Sequence, residues 1–182
     1  MASHLLKAHP DSAPAAQAVT ELRATVSRPT ADSLLLEWRL AGDICALRLP
    51  EPRPTVRADG LWRHTCFEAF LGRDAASDYW EYNFSPSGAW AAYHFTSYRE
   101  GMAALLKGAP PVIRCDVTAG ALEMAVRVDL AWLARSAAGV GLRLGLSAVI
   151  EDTARVLSYW ALDFPPGKPD FHHADGRVIP LE

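Results

Sequence analysis

A chain of 182 residues, half of them hydrophobic and 21% charged, has the size and composition of one folded domain able to bury roughly 70% of its unfolded surface. A net charge of -3 and a pI near 6.1 argue against a protein built to neutralise phosphates. The basic residues are scattered, apart from a loose set at Arg48, Arg53, Arg57 and Arg63 that reads as a solvated loop.

Residues 1–18, rich in Ala, Pro and Ser, are expected to form a loose leader to a single domain over residues 19–182. Pro10 and Asp11 interrupt the opening before any apolar core of signal-peptide length develops. No stretch approaches the roughly 18 apolar residues that cross a membrane. Cys45, Cys66 and Cys115 are odd in number, far apart and without CxxC spacing, which suits reduced thiols in a cytoplasmic protein.

Beyond the leader the governing signal is period two. In "ELRATVSR" Leu22, Ala24 and Val26 alternate with polar residues, and in "LLLEWRL" Leu34, Leu36, Trp38 and Leu40 share a face. The turn "AGD" is expected to fold this strand back onto "ICALRL" as a hairpin. The Pro-rich passage at 50–60 cannot be regular strand, because Pro removes ladder donors. "TCFEAFL", "YWEYNF" and "AWAAYHF" follow as strands. "VIRCDV" and "LEMAVRV" flank the turn "TAG", and "EDTA" joins "LRLGLSAVI" to "VLSYWAL". Two short helices are expected: "LAWLARSAA", capped by Asp129 and ending at Gly139, and "GMAALLK", ending at Gly108. The sum is a mainly β chain, an antiparallel β-sandwich of jelly-roll or immunoglobulin-like type with about ten strands.

The stretch "YWEYNFSPSGAWAAYHF", residues 79–95, is where a site is expected. If "SPSG" is a four-residue loop, Phe84 pairs with Ala89, Asn83 with Trp90 and Glu81 with Ala92. Trp80, Tyr82, Phe84, Ala91, Tyr93 and Phe95 then form a core face. Tyr79, Glu81, Asn83, Trp90 and His94 form the opposite one. "TCFEAFL" sorts likewise, placing Cys66, Glu68 and Phe70 beside Glu81 and Asn83. Two neighbouring carboxylates repel, so a basic neighbour such as Arg99 or Arg63, a raised pKa or a ligand must offset them.

At "LWRHTCFEAFLG", "YWEYNFSPSGAWAAYHFTSYREG" and "YWALDFPPGKPDFHH" the sequence resembles DOMON-like proteins of the family-nine carbohydrate-binding-module superfamily. The resemblance implies an antiparallel β-sandwich holding a sugar or a haem on one face. Sugar-binding relatives use a Trp and a Glu six residues later, the spacing of Trp62 and Glu68. They close the sugar with a second Trp, for which Trp160 and Trp90 compete here. Haem-binding relatives use Met and His ligands. Of Met1, Met102 and Met124, none stands in a recognisable spacing with His64, His94, His172 or His173, so no cofactor is expected.

The expected function is a non-catalytic module binding a saccharide or sugar-containing metabolite through Trp62, Glu68, Glu81, Asn83, Trp90, His94 and Trp160. It involves no nucleic acid or membrane and no metal; Asp170, His172 and His173 would be the nearest thing to a ligand set, but adjacent histidines on extended chain point apart. The alternatives are a haem-binding domain and an enzyme using Glu68 and Glu81 as a carboxylate pair.

Overall fold

The computed structural model describes residues 2–12, 15–134 and 141–181. The chain runs through β1 (Ala2–Leu5), β2 (Lys7–Ala8), β3 (Val19–Thr30), β4 (Ser33–Gly42), β5 (Val56–Arg57), β6 (Cys66–Arg73), β7 (Tyr79–Phe84) and β8 (Ala89–Phe95). It continues through β9 (Ala103–Ala104), β10 (Val112–Val117), β11 (Ala121–Asp129), the helical turn α1 (Ala131–Ala134), β12 (Leu142–Glu151), β13 (Leu157–Ala161) and β14 (Ile179–Leu181).

These strands form two stacked sheets. The first has the order β1-β3-β4-β11-β10, the second β2-β13-β12-β6-β7-β8-β5, with β14 beside β12 and β9 beside β8. The alternation read from the sequence sets the inner face of the first sheet: Leu22 pairs with Leu40, Ala24 with Trp38, and Met124 with Trp38 from the other side. The second sheet answers with Phe67, Ala69, Leu71, Trp80, Tyr82, Phe84, Leu146 and Ala148. Trp38 sits between the layers, its ring 5.6 Å from Phe67 and 5.9 Å from Phe84.

Three local expectations fail, each for a definable reason. Residues 2–8 are strands, not a loose leader: β1 pairs with β3 and β2 with β13, so this segment ties both sheets together. "ICALRL" does not pair with β4, because β3 and β11 already occupy both of its edges. Asp43 instead accepts the Cys45 N–H at 3.1 Å and starts a 3₁₀ turn that carries the chain to the second sheet. "GMAALLK" is no helix. Seven residues fall below the about 12–15 an isolated helix needs, and the open edge of β8 takes Ala103 and Ala104 as ladder partners. In α1, Asp129 accepts the Ala131 N–H at 2.9 Å as expected; the remainder of that predicted helix, to Gly139, lies outside the described residues.

The second sheet differs from the first in being covered on both sides. β7 is buried along its whole length and β6 along all but its last residue. On the outer side lies a second apolar cluster of Phe70, Tyr79, Ala91, Tyr93 and Phe95, under Leu61, Trp62 and Phe171. Its cover is the stretch 163–178, a strap between β13 and β14 that lies directly on the sheet. Two glycines allow that approach: a Cβ on Gly145 would stand 2.7 Å from the Gly176 carbonyl oxygen, and one on Gly72 2.7 Å from the Arg177 guanidinium. Gly145→Ala must therefore push backbone against backbone. We expect it to lower stability by about 1–3 kcal/mol and to make the strap the first site of limited proteolysis, read by denaturant unfolding and mass mapping of the cleaved fragments.

Candidate functional site

The outer face of the second sheet is built from alternate residues of five strands. Glu68 stands opposite Asn83, Phe70 opposite Glu81, and Gly72 opposite Tyr79. Across the other edge of β6, Ser147 faces Glu68 and Val149 faces Cys66, and Tyr159 follows beside Val149. Of these, Glu68, Glu81 and Val149 floor a cleft of about 500 Å³ walled by Trp62, Phe95, Tyr159 and Phe171, with Arg63, Arg99, Met102 and His172 also lining it. That size falls in the range of about 300–1,000 Å³ typical of small-ligand sites.

Two clasps hold the walls. Trp62 lies edge-on to Tyr93 at 5.8 Å, and the Tyr93 hydroxyl donates to Asp59 at 2.6 Å while Arg57 pairs with the same carboxylate at 3.0 Å. On the strap, Asp170 accepts from Tyr98, from Arg99 at 2.7 Å and from the His172 N–H at 3.0 Å. Arg99 holds φ at +57°, the left-handed region uncommon for a side-chain-bearing residue, and so aims its guanidinium at the strap. His172 then lies edge-on to Phe95 at 5.1 Å and Phe70 at 5.2 Å. Its Nδ1 is 2.8 Å from the Tyr79 hydroxyl, which itself accepts the Arg99 N–H. Tyr79 in turn stacks on Phe95, with ring centroids 4.8 Å apart.

The floor is acidic and dry. Glu68 is 3% and Glu81 4% exposed. Asn83 is bound from both ends: its Nδ2 donates to Glu81, and its Oδ1 lies 3.5 Å from the Cys66 thiol. Ser147 Oγ donates to Glu68 at 3.5 Å. Burial raises both carboxyl pKa values; the Glu81 charge raises that of Glu68 further, while Asn83 and Arg99 moderate the rise at Glu81. Both acids are thus biased towards their protonated forms. Burial also pushes the Cys66 thiol up, leaving it protonated and unreactive. For His172, burial and the nearby Arg99 lower the pKa to about 4, so its ring is neutral at pH 7.

The residues predicted for the site divide by face. Trp62, Glu68, Glu81 and Asn83 come together as expected. Trp90, His94 and Trp160 do not. Phe84 pairs with Trp90, Tyr82 with Ala92 and Trp80 with His94, one residue out of step with the expected register. The cause lies at the 85–88 loop: Ser85 Oγ accepts the Ser87 N–H and Ser87 Oγ accepts the Ala89 N–H, so Ala89 begins β8 without a ladder partner on β7 and Phe84 meets Trp90. Trp90 therefore packs on the main core. His94 stacks on Trp80 at 5.6 Å and meets Asp78 at 3.3 Å, and Trp160 is buried in the sandwich, donating to Ser158 at 2.9 Å. In their places on the site face stand Tyr93, Phe95 and Tyr159. Tyr159, Phe171 and His172 were missed as walls, although the alternation in "VLSYWAL" already put Tyr159 and Trp160 on opposite faces.

By sequence, the chain matches no family profile and no curated protein. By structure it does have likenesses. A Bacteroides uniformis protein provisionally described as carbohydrate-binding superposes with a TM-score of 0.71 at 11% identity, over 97% of this chain and 84% of the other. The likeness is one of fold: two antiparallel β-sheets stacked as a sandwich. A family-nine carbohydrate-binding module from Caldicellulosiruptor kristjanssonii, solved with cellotriose, superposes at 0.52 and 8% identity over 91% and 74% of the two chains.

Opposite pH responses follow from the two buried groups. A carboxyl whose folded pKa is raised stabilises the fold at low pH and loses that contribution as pH rises through the folded value. A histidine whose folded pKa is lowered to about 4 from 6.5 costs stability as pH falls through that window. Glu68→Gln, which mimics the protonated acid, is therefore expected to gain thermal stability relative to wild type as pH rises above the ordinary carboxyl range. His172→Gln should flatten the wild-type loss between pH 6.5 and 4. Thermal melts across that pH range check both.

Proposed function

We propose that the outer cleft binds a saccharide or sugar-containing metabolite and that the protein acts as a non-catalytic binding module of DOMON-like type. The observation that carries this reading is the meeting of aromatic rings with an acid-and-amide floor: Trp62, Tyr159 and Phe171 stand around Glu68 and Glu81, with Asn83 behind them. A pyranose has an apolar C–H face that packs on aromatic rings, and hydroxyls that need a few directed partners. The proteins that share the fold lend support, since one is a carbohydrate-binding module solved with a bound oligosaccharide.

Met102 and His172 also line the cleft, which brings a haem to mind, but the residues do not fit one. The His172 ring is wedged between Phe70, Phe95 and Tyr79, its Nδ1 is engaged by the Tyr79 hydroxyl, and its Nε2 faces Glu81 at 3.8 Å.

Calorimetric titration with mono- and oligosaccharides tests the proposal. Binding by the wild type should weaken about tenfold or more, near 1.4 kcal/mol, in Trp62→Ala and in Tyr159→Ala. Trp90→Phe, altered on the opposite face, should bind as wild type does. Failure of the wild type to bind any saccharide would remove the reading.

A further inference from the structure

The cleft floor is short of hydrogen-bond donors and of positive charge. Fully ionised, the two carboxylates would offer about eight lone-pair sites, and the described residues set against them one Ser147 hydroxyl and one Asn83 N–H. Among the described residues, neither Glu68 nor Glu81 is paired with a lysine or arginine. His172 Nε2 approaches Glu81 only to 3.8 Å and its ring is neutral at pH 7. The Arg99 guanidinium, which also lines the cleft, is engaged by Asp170 at 2.7 Å, and Arg63 lines the cleft without an ion pair to either acid among the described residues. Cys66, beneath them, contributes no charge.

We infer that the ligand brings the missing cation: resting on the saccharide reading above, the structure assigns this cleft to an amino sugar, or a metabolite containing one, whose protonated amine sits on Glu68 and Glu81. An ammonium supplies three donors and a compact charge. Trp62, Tyr159 and Phe171 suit the same ligand twice over, because an aromatic face favours a cation as well as an apolar sugar face. A neutral hydroxyl would fill lone pairs and leave the charges uncompensated, and N-acetylation would remove the charge the floor selects. Seating the ammonium stabilises both ionised carboxylates, so the proton their pair held leaves to solvent.

The test titrates the full chain at pH 7 with glucosamine, galactosamine and mannosamine, with the neutral parent and N-acetyl form of each, and with cyclohexylamine. At least one amino sugar is expected to bind tenfold or more tightly than both its neutral and N-acetyl counterparts. Titration in two buffers of different ionisation heat should register proton release. The preference should vanish in Glu68→Gln and Glu81→Gln, with thermal melts verifying that both remain folded. If a neutral or N-acetyl sugar binds as well or better, the amine is overturned and the saccharide reading stands. If cyclohexylamine binds and no sugar does, the amine stands and the saccharide reading falls. Silence from every probe overturns both.

Discussion

A sheet that is apolar on both faces must be covered twice, and the architecture of this protein follows from that constraint. The inner face of the nine-stranded sheet is closed by the five-stranded one, through Trp38 against Phe67 and Phe84. The outer face presents Phe70, Tyr79, Tyr93 and Phe95, too much aromatic area to leave in water at about 25 cal/mol per Å². The described residues form no third sheet. The strap of residues 163–178 and the turn carrying Trp62 take its place, and neither extends over the whole face. What they leave uncovered is the cleft.

The position of that gap gives it chemistry. Strand β6 alternates Phe67, Ala69 and Leu71 inward with Cys66, Glu68 and Phe70 outward, and β7 places Asn83, Glu81 and Tyr79 beside them. Two carboxylates so nearly buried are costly unless they are neutral, hydrogen-bonded or paired. Asn83 and Ser147 supply part of that need, and the raised pKa values of both acids favour the neutral form that lowers the cost. The fold thus sets two nearly buried acids on the floor of an open cleft.

The strap is held by charge as well as by packing. Asp170 gathers Tyr98, Arg99 and its own His172 N–H, while Arg177 lies over the Tyr79 ring at 5.0 Å and donates to the His172 carbonyl. Tyr79 connects the two anchors, since its hydroxyl meets both the Arg99 backbone and the His172 ring. The aromatic walls and the carboxylate floor are therefore parts of one bonded unit, and a change in the strap reaches the floor through His172.

Alternation within a strand is local, and whatever depended on it alone was legible in the sequence. The sandwich class, the inward faces of β3, β4 and β11, and the shared side of Glu68, Glu81 and Asn83 belong here, because neighbouring Cβ atoms on a strand point to opposite faces whatever the partner. Trp62 was legible through resemblance. Register across a turn is a different matter. Serine hydroxyls of the 85–88 loop take up backbone N–H groups and move β8 by one residue, which turns Trp90 and His94 inward and Tyr93 and Phe95 outward. The walls made by Tyr159, Phe171 and His172 depend on where a strap distant in sequence comes to rest, and that is settled by the space above Gly72 and Gly145 and by Asp170. Such contacts exist only once the whole chain has folded, so the tertiary structure alone decided them.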